Sequence, residues 1–128
     1  MALNLNSLDT VALADTGSVL EVEHPITGEK TDMTITLAGM DSKVWRRAVA
    51  YAANRRIGRK NKDRVYEQVN ADNTLVMARC TLAWSGVELD GQVLPCTEDN
   101  AVLLYERFPW LKEQVSAFIE DRQIYLRD

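Results

Sequence analysis

The run MTITLAGMDSKVWRRAVAYAA, from Met33 to Ala53, changes its periodicity halfway along, and that change decides what kind of fold the chain makes. Its first half puts Met33, Ile35 and Leu37 on alternate positions with Thr34 and Thr36 between them, the period of two of a half-buried strand. Threonine suits the solvated face of such a ribbon. Gly39 ends the strand, and Asp41 or Ser42 can cap a helix by accepting bonds from its first free N–H groups. Beyond the cap, Trp45, Ala48, Val49 and Ala52 recur at i, i+3, i+4 and i+7, a single apolar stripe at the helical period. A strand running into an amphipathic helix is the first sign of an α+β chain.

Working outward, VLEVEH (Val19–His24) places Leu20, Val22 and His24 on one face, and Pro25 and Gly28 in HPITGEK supply a turn. With Met33–Leu37 this reads as an N-terminal antiparallel β-hairpin. Residues 1–16 show weak periodicity and many Asn, Asp, Ser and Thr, so they are expected to be flexible. Downstream, Val65, Tyr66 and Val69 read as a short helical turn. Leu75, Met77, Ala78 and Leu82 read as a longer helix running past Trp84 to a stop at Gly86. Asp90-Gly91 between Val87, Leu89 and Val93 marks a second, compact hairpin near 87–94. Thr97 precedes Glu98 and Asp99, acids placed where a helix dipole favours them. Pro109 opens a last helix whose Leu111, Val115, Phe118, Ile119 and Arg122 share one face. The expected architecture is therefore a single α+β domain over 1–128, mostly α-helical.

Bulk properties agree with a globular chain. Its 128 residues, 46% hydrophobic and 27% charged, can bury a core without staples. No apolar run approaches the ~20 residues that cross a bilayer. The first residues lack the basic region and apolar core of a secretory signal, so a cytoplasmic protein is expected. Cys80 and Cys96 form no CxxC and read as two thiols packed like small apolar groups.

Charge is where the sequence becomes specific. The net charge is −4, yet nine of the fifteen basic residues fall between Lys43 and Arg64, with Asp63 the one acid among them. Seven acids precede position 42 against Lys30 alone. Arg56 and Arg59 would continue the buried stripe of the helix, and burying unpaired guanidinium groups costs of the order of several kcal/mol. The helix should thus leave the core near Ile57, with Gly58 as a left-handed stop. The basic block is then an exposed helix end and the loop after it. Clustered Arg and Lys can neutralise phosphates, but a pI near 5.0 is wrong for a dedicated nucleic-acid binder, and no aromatic interleaves the loop. A protein partner suits an acidic chain better, because guanidinium pairs bidentately with carboxylates. One copy's basic block could meet the acidic front of the next.

Chemistry is hard to find. The single histidine, His24, stands beside Pro25 in a turn and reads as structural; it has no ligands at metal spacing. GRKNKDR (Gly58–Arg64) is neither a P-loop nor a dinucleotide fingerprint. The pairs Glu98–Asp99 and Glu120–Asp121 sit at helical positions where solvated acids are common. No enzyme, no metal and no cofactor is expected.

Motif order supplies the remaining clue. HPITGE followed by ITLAGMDSKVWRRA resembles the front half of tail assembly chaperones of long-tailed, lambda-like bacteriophages. The back half is similar too: Trp84, Gly86 and Gly91, then Thr97–Ala101, Pro109-Trp110, Asp121-Arg122 and Tyr125-Leu126. The resemblance spans positions 18–126. It implies a non-catalytic, oligomerising protein of the infected host's cytoplasm, which binds the tape measure protein and keeps it soluble during tail morphogenesis. It also implies a longer, frameshifted form that brings in the tail tube protein, and absence from the finished virion. The alternatives are a nucleic-acid-binding accessory protein using residues 55–64 and a minor structural tail protein. Exposed ion pairs contribute only ~0–1 kcal/mol each, so apolar contacts must add affinity. The candidate partner-binding residues are accordingly Arg46, Arg47, Arg55, Arg56, Arg59 and Lys60 in the basic block. Tyr105, Phe108 and Trp110, between the last two helices, complete the set, with core packing as their other reading.

Overall fold

A computed structural model describes residues 2–57 and 65–126 of the chain; of Arg56, Ile57 and residues 65–67 it describes the backbone alone. After a short 3-10 turn, Leu5–Leu8, the elements run α1 (Thr10–Thr16), β1 (Ser18–Glu23), β2 (Lys30–Leu37), α2 (Lys43–Ile57), α3 (Val65–Cys80), β3 (Thr81–Ser85), β4 (Glu88–Leu89), β5 (Gln92–Val93), α4 (Glu98–Arg107), α5 (Pro109–Glu120) and α6 (Arg122–Leu126). The fold is α+β and mostly helical, with the N-terminal hairpin where the alternation of Met33, Ile35 and Leu37 puts it.

β2 is the centre of an antiparallel sheet ordered β1-β2-β3. Ile35 and Leu37 are wholly buried on one face, packed with Val22, Cys80, Leu104, Tyr105, Leu111, Val115 and Ile119. Burial of each large aliphatic side chain is worth about 1.5–3 kcal/mol. Burial also pushes the Cys80 thiol up to about 12, which makes it an inert core group.

Residues 81–85 correct the sequence reading. They were expected to continue a helix to Trp84, but the helix stops at Cys80 and the chain becomes β3, pairing Ile35 with Trp84 and Thr36 with Ala83. Leu75, Ala78 and Leu82 suit a helix by spacing alone. The unpaired N–H and C=O groups of β2's second edge need a partner, and the β-favouring Thr81 and Trp84 provide one. Trp84 further donates its Nε1–H to the Leu94 carbonyl at 2.8 Å, tying β3 to the segment after the second hairpin. That hairpin is as expected, with Asp90 (φ 55°) and Gly91 (φ 79°) both left-handed in its two-residue turn. Residues 65–80 form one continuous helix instead of a short turn and a longer piece.

The first residues contain a helix of their own. Asp9 caps α1 by accepting from the Ala12 N–H, and Ala14 is buried. The reason lies downstream, in the corner between β2 and α2. There the N–H groups of Ala38, Gly39 and Met40 donate in turn to the carbonyls of Cys80 (2.8 Å), Ala14 (3.1 Å) and Ile119 (3.2 Å). Ser42 Oγ accepts from the Trp45 N–H at 3.0 Å, as a cap should. Asp15 Oδ1, from α1, accepts from the Lys43 N–H at 2.7 Å. Asp41 is turned instead toward α6, where Arg122 donates to both its carboxylate oxygens at 2.6 and 2.8 Å. The expected continuation of the α5 stripe to Arg122 thus gives way to a break at Asp121 and a separate helix.

Gly39 is required by close approach. A Cβ there would stand 2.9 Å from Tyr125 Cε2 and 3.1 Å from the Ala14 Cβ. Tyr125 is buried and held by its own hydrogen bond to the Leu37 carbonyl. Gly39→Ala should therefore lower the unfolding free energy by about 1–3 kcal/mol, as overpacking does. Gly28→Ala is the comparison: its Cβ would meet nothing within 4 Å, and the cost is only the left-handed backbone, about 1 kcal/mol. Urea titrations of both variants check the ranking, and equal losses would contradict it.

Candidate functional site

The periodicity that buries Ala48 and Ala52 against Val76 of α3 turns the basic side of α2 outward. Lys43, Arg46, Arg47 and Arg55 are exposed, as the sequence reading requires. Val49, expected in the buried stripe, is 43% exposed. It lines the mouth of a cleft of about 260 Å³ with Trp45, Val76, Lys112 and Ile119. The Arg56 side chain, Arg59 and Lys60 lie outside the described residues.

Tyr51 belongs to this face although the sequence reading passed it over. It follows Arg47 and precedes Arg55 by four residues each, so the three share one side of the helix. Tyr51 is 44% exposed. The Arg55 guanidinium lies 5.8 Å from the ring centroid, and that of Arg79, from α3, lies 3.9 Å away. Both are within reach of the ring's negative face. Arg79 also reaches Glu98 at 3.3 Å. The spacing of Arg47, Tyr51 and Arg55 is a signal present in the sequence, whereas the approach of Arg79 is tertiary.

The acidic surface is the β1–β2 hairpin. Glu21, Glu23, Glu29 and Asp32 are exposed along it, and Lys30 pairs with Glu21 at 3.5 Å. His24 is structural: its Nδ1 accepts from the N–H groups of Ile26 (3.1 Å) and Thr27 (3.4 Å), which folds the turn. That turn holds Ile26 out at 86% exposure. The hairpin is fastened to α5 by Gln114, whose side-chain amide accepts from the Glu23 N–H at 2.9 Å and donates to the Glu23 carbonyl at 2.8 Å.

The three aromatic candidates separate. Tyr105 is a correction: it is 1% exposed and belongs to the core. Thr81 Oγ1 donates to the Met77 carbonyl, so the Tyr105 hydroxyl donates to Thr81 across 2.6 Å. Burial pushes the Tyr105 phenol well above its ordinary range. Ala101, Leu104 and Tyr105 form one buried stripe of α4, a pattern the sequence carries. Phe108 and Trp110 are half-buried and meet edge to face, with centroids 6.3 Å apart. Both line a small cleft of about 160 Å³ with Met33, Val87 and Leu104. The structure therefore brings together Arg47 and Arg55, but sets Phe108 and Trp110 apart on other elements.

Among the described residues no group of three or more His, Cys, Asp or Glu side chains could hold a metal ion. Among them, too, no helix is long and apolar enough to cross a membrane. No family model matches the chain, and neither a curated protein nor a solved structure is significantly similar to it.

Two variants test these placements. Tyr105→Phe removes one buried hydrogen bond and should cost about 1 kcal/mol of stability, measured by chemical denaturation, without altering surface binding. The other concerns Asp41. The hydrogen bonds from Arg122 hold its carboxyl below the ordinary 3.8, against partial burial that raises it; the Arg46 charge adds to the lowering. A depressed folded-state value means the stabilisation is full above 3.8 and is lost as pH falls from there through the lower value. Native chain should therefore exceed Asp41→Asn in stability by a constant margin near neutrality, and the margin should shrink below pH 3.8. A margin that grows on acidification contradicts the assignment.

Proposed function

We propose that this chain is a non-catalytic assembly chaperone for the tail of a long-tailed bacteriophage. It acts in the cytoplasm of the infected bacterium, self-associates, and binds the tape measure protein to keep it soluble during tail morphogenesis. A longer frameshifted form would bring in the tail tube protein.

One observation carries the reading. Two of the motifs on which the phage resemblance rests lie far apart in the sequence, yet they meet at one corner. Gly39, Asp41 and Ser42 come from the front half, and Arg122 and Tyr125 from the back half. Asp41 and Arg122, 81 positions apart, form a bidentate pair, and the Tyr125 ring closes on Gly39. Residues that cooperate in one joint form a single structural signature, which gives their joint order more weight than separate turns and caps would have. The His-Pro-x-Thr-Gly turn adds to it, because His24 organises that turn through its own nitrogen.

The described surfaces suit the task. A tape measure protein is long and helical, and its apolar faces aggregate unless covered. The cleft between α2, α3 and α5 offers Trp45, Val49, Val76 and Ile119 with Lys112 and Glu120 beside them, an apolar floor with charges of both signs. Co-expression with a tape measure protein of a long-tailed phage is the test. A soluble complex of the two, and an insoluble tape measure protein without the chaperone, are expected. A tape measure protein whose solubility is the same with and without the chain would refute the proposal.

A further inference from the structure

We propose that the Arg47–Tyr51–Arg55 face of α2 docks the acidic β1–β2 hairpin of a second copy of this chain. The inference rests on the self-association in the function proposed above and names the two surfaces that meet.

The receiving surface is a short ladder. Arg47 and Arg55 are two turns apart, about 12 Å along the helix axis at ~1.5 Å per residue, with the exposed Tyr51 between them. Arg79 is already engaged by Glu98, but among the described residues neither Arg47 nor Arg55 has a carboxylate partner. A guanidinium stacked near a ring keeps its edge donors free for a carboxylate. The surface therefore selects a segment that offers separated carboxylates and an apolar side chain for the ring.

The hairpin has that chemistry. Glu23, Glu29 and Asp32 are exposed and make no ion pair among the described residues; Glu21 is held by Lys30. Ile26 stands out at the tip between Glu23 and Glu29, the most exposed large aliphatic side chain among the described residues. The clamp of Gln114 on both main-chain groups of Glu23 and the His24 turn hold this array in one shape before it meets a partner. Preformed shape lowers the entropy cost of docking.

Charge then dictates which surfaces meet. Hairpin against hairpin sets acid on acid, and α2 against α2 sets base on base, so neither two-fold contact is favourable. Hairpin against α2 is the complementary pairing, and no ion pair among the described residues satisfies it within one chain. Made head to tail, such a contact leaves one copy of the pair with a free hairpin and the other with a free α2 face, so the assembly grows into a ring or an open array unless the two contacts close on each other in a two-fold pair. Exposed ion pairs are individually weak, so growth should depend on protein concentration.

Charge-swapped variants test this by light scattering on the full chain. Arg47→Glu with Arg55→Glu forms one variant, and Glu23→Lys with Glu29→Lys the other. Each alone should associate at least tenfold more weakly than the native chain. Mixed in equal amounts, they should recover assemblies, because the unaltered acidic hairpin meets the unaltered α2 and the two reversed surfaces meet each other. Arg47→Ala with Arg55→Ala gives a milder loss should the reversed charges impair folding. Native-sized assemblies in either single variant, or a mixture that stays monomeric, would overturn the docking while leaving tape measure binding untouched. A native chain that is monomeric at every concentration removes self-association altogether. Salt-sensitive binding of single-stranded DNA, abolished by Arg47→Glu with Arg55→Glu in a chain that does not assemble, would instead make this face a phosphate site and overturn the proposal.

Discussion

Three consecutive backbone N–H groups, those of Ala38, Gly39 and Met40, bond to three different helices. Buried amides cost free energy comparable to a lost hydrogen bond when they are unpaired, so this corner forms only when the ends of α3, α1 and α5 have all arrived. Its geometry leaves no room for a side chain at position 39, where Tyr125 and Ala14 close in from opposite ends of the chain. Asp41 and Ser42 complete the joint with different tasks: one grips α6 through Arg122, the other starts α2. The corner thus couples the first and last helices to the only change of direction between the hairpin and the basic helix among the described residues.

That coupling has a functional consequence. β2 leads into the corner and α2 leads out of it, so the acidic hairpin and the Arg47–Tyr51–Arg55 face are held in a fixed relation. Gln114 adds a second attachment by clamping Glu23 to α5. The self-assembly proposed above would rely on such rigidity, because small angular errors accumulate along a heterologous array. The main-chain bonds at the corner are directional and include the buried Ala38 and Gly39, whereas the contacts proposed between copies are exposed and charged. One set supplies a single shape and the other a reversible contact.

Much of this was legible in the residues. The alternation from Met33 to Leu37, the Asp90-Gly91 turn, the Thr97 cap and the Pro109 start are local signals, and each sits where the sequence puts it. β3 was not legible, because Leu75, Ala78 and Leu82 fit a helix by spacing, and what turns residues 81–85 into a strand is the open edge of β2. α1 was passed over although Asp9 is a good cap, since a seven-residue helix gains its stability from the docking of Ala14 rather than from its own sequence. At the site, the exposure of Arg46, Arg47 and Arg55 followed from the helical period. The burial of Tyr105 also followed from it, through Ala101 and Leu104, yet an aromatic next to a helix break invited the opposite reading. The pairing of Asp41 with Arg122 and the approach of Arg79 to Tyr51 join elements that no local pattern connects.

Amide hydrogen exchange at the corner tests the account most directly. If the three bonds form one joint, the N–H groups of Ala38, Gly39 and Met40 should be among the slowest in the chain, exchanging together and only with global unfolding. Fast or separate exchange at these three positions, while Ile35 and Leu37 in the centre of the sheet remain protected, would show that the corner opens on its own and contradict its place at the centre of the fold.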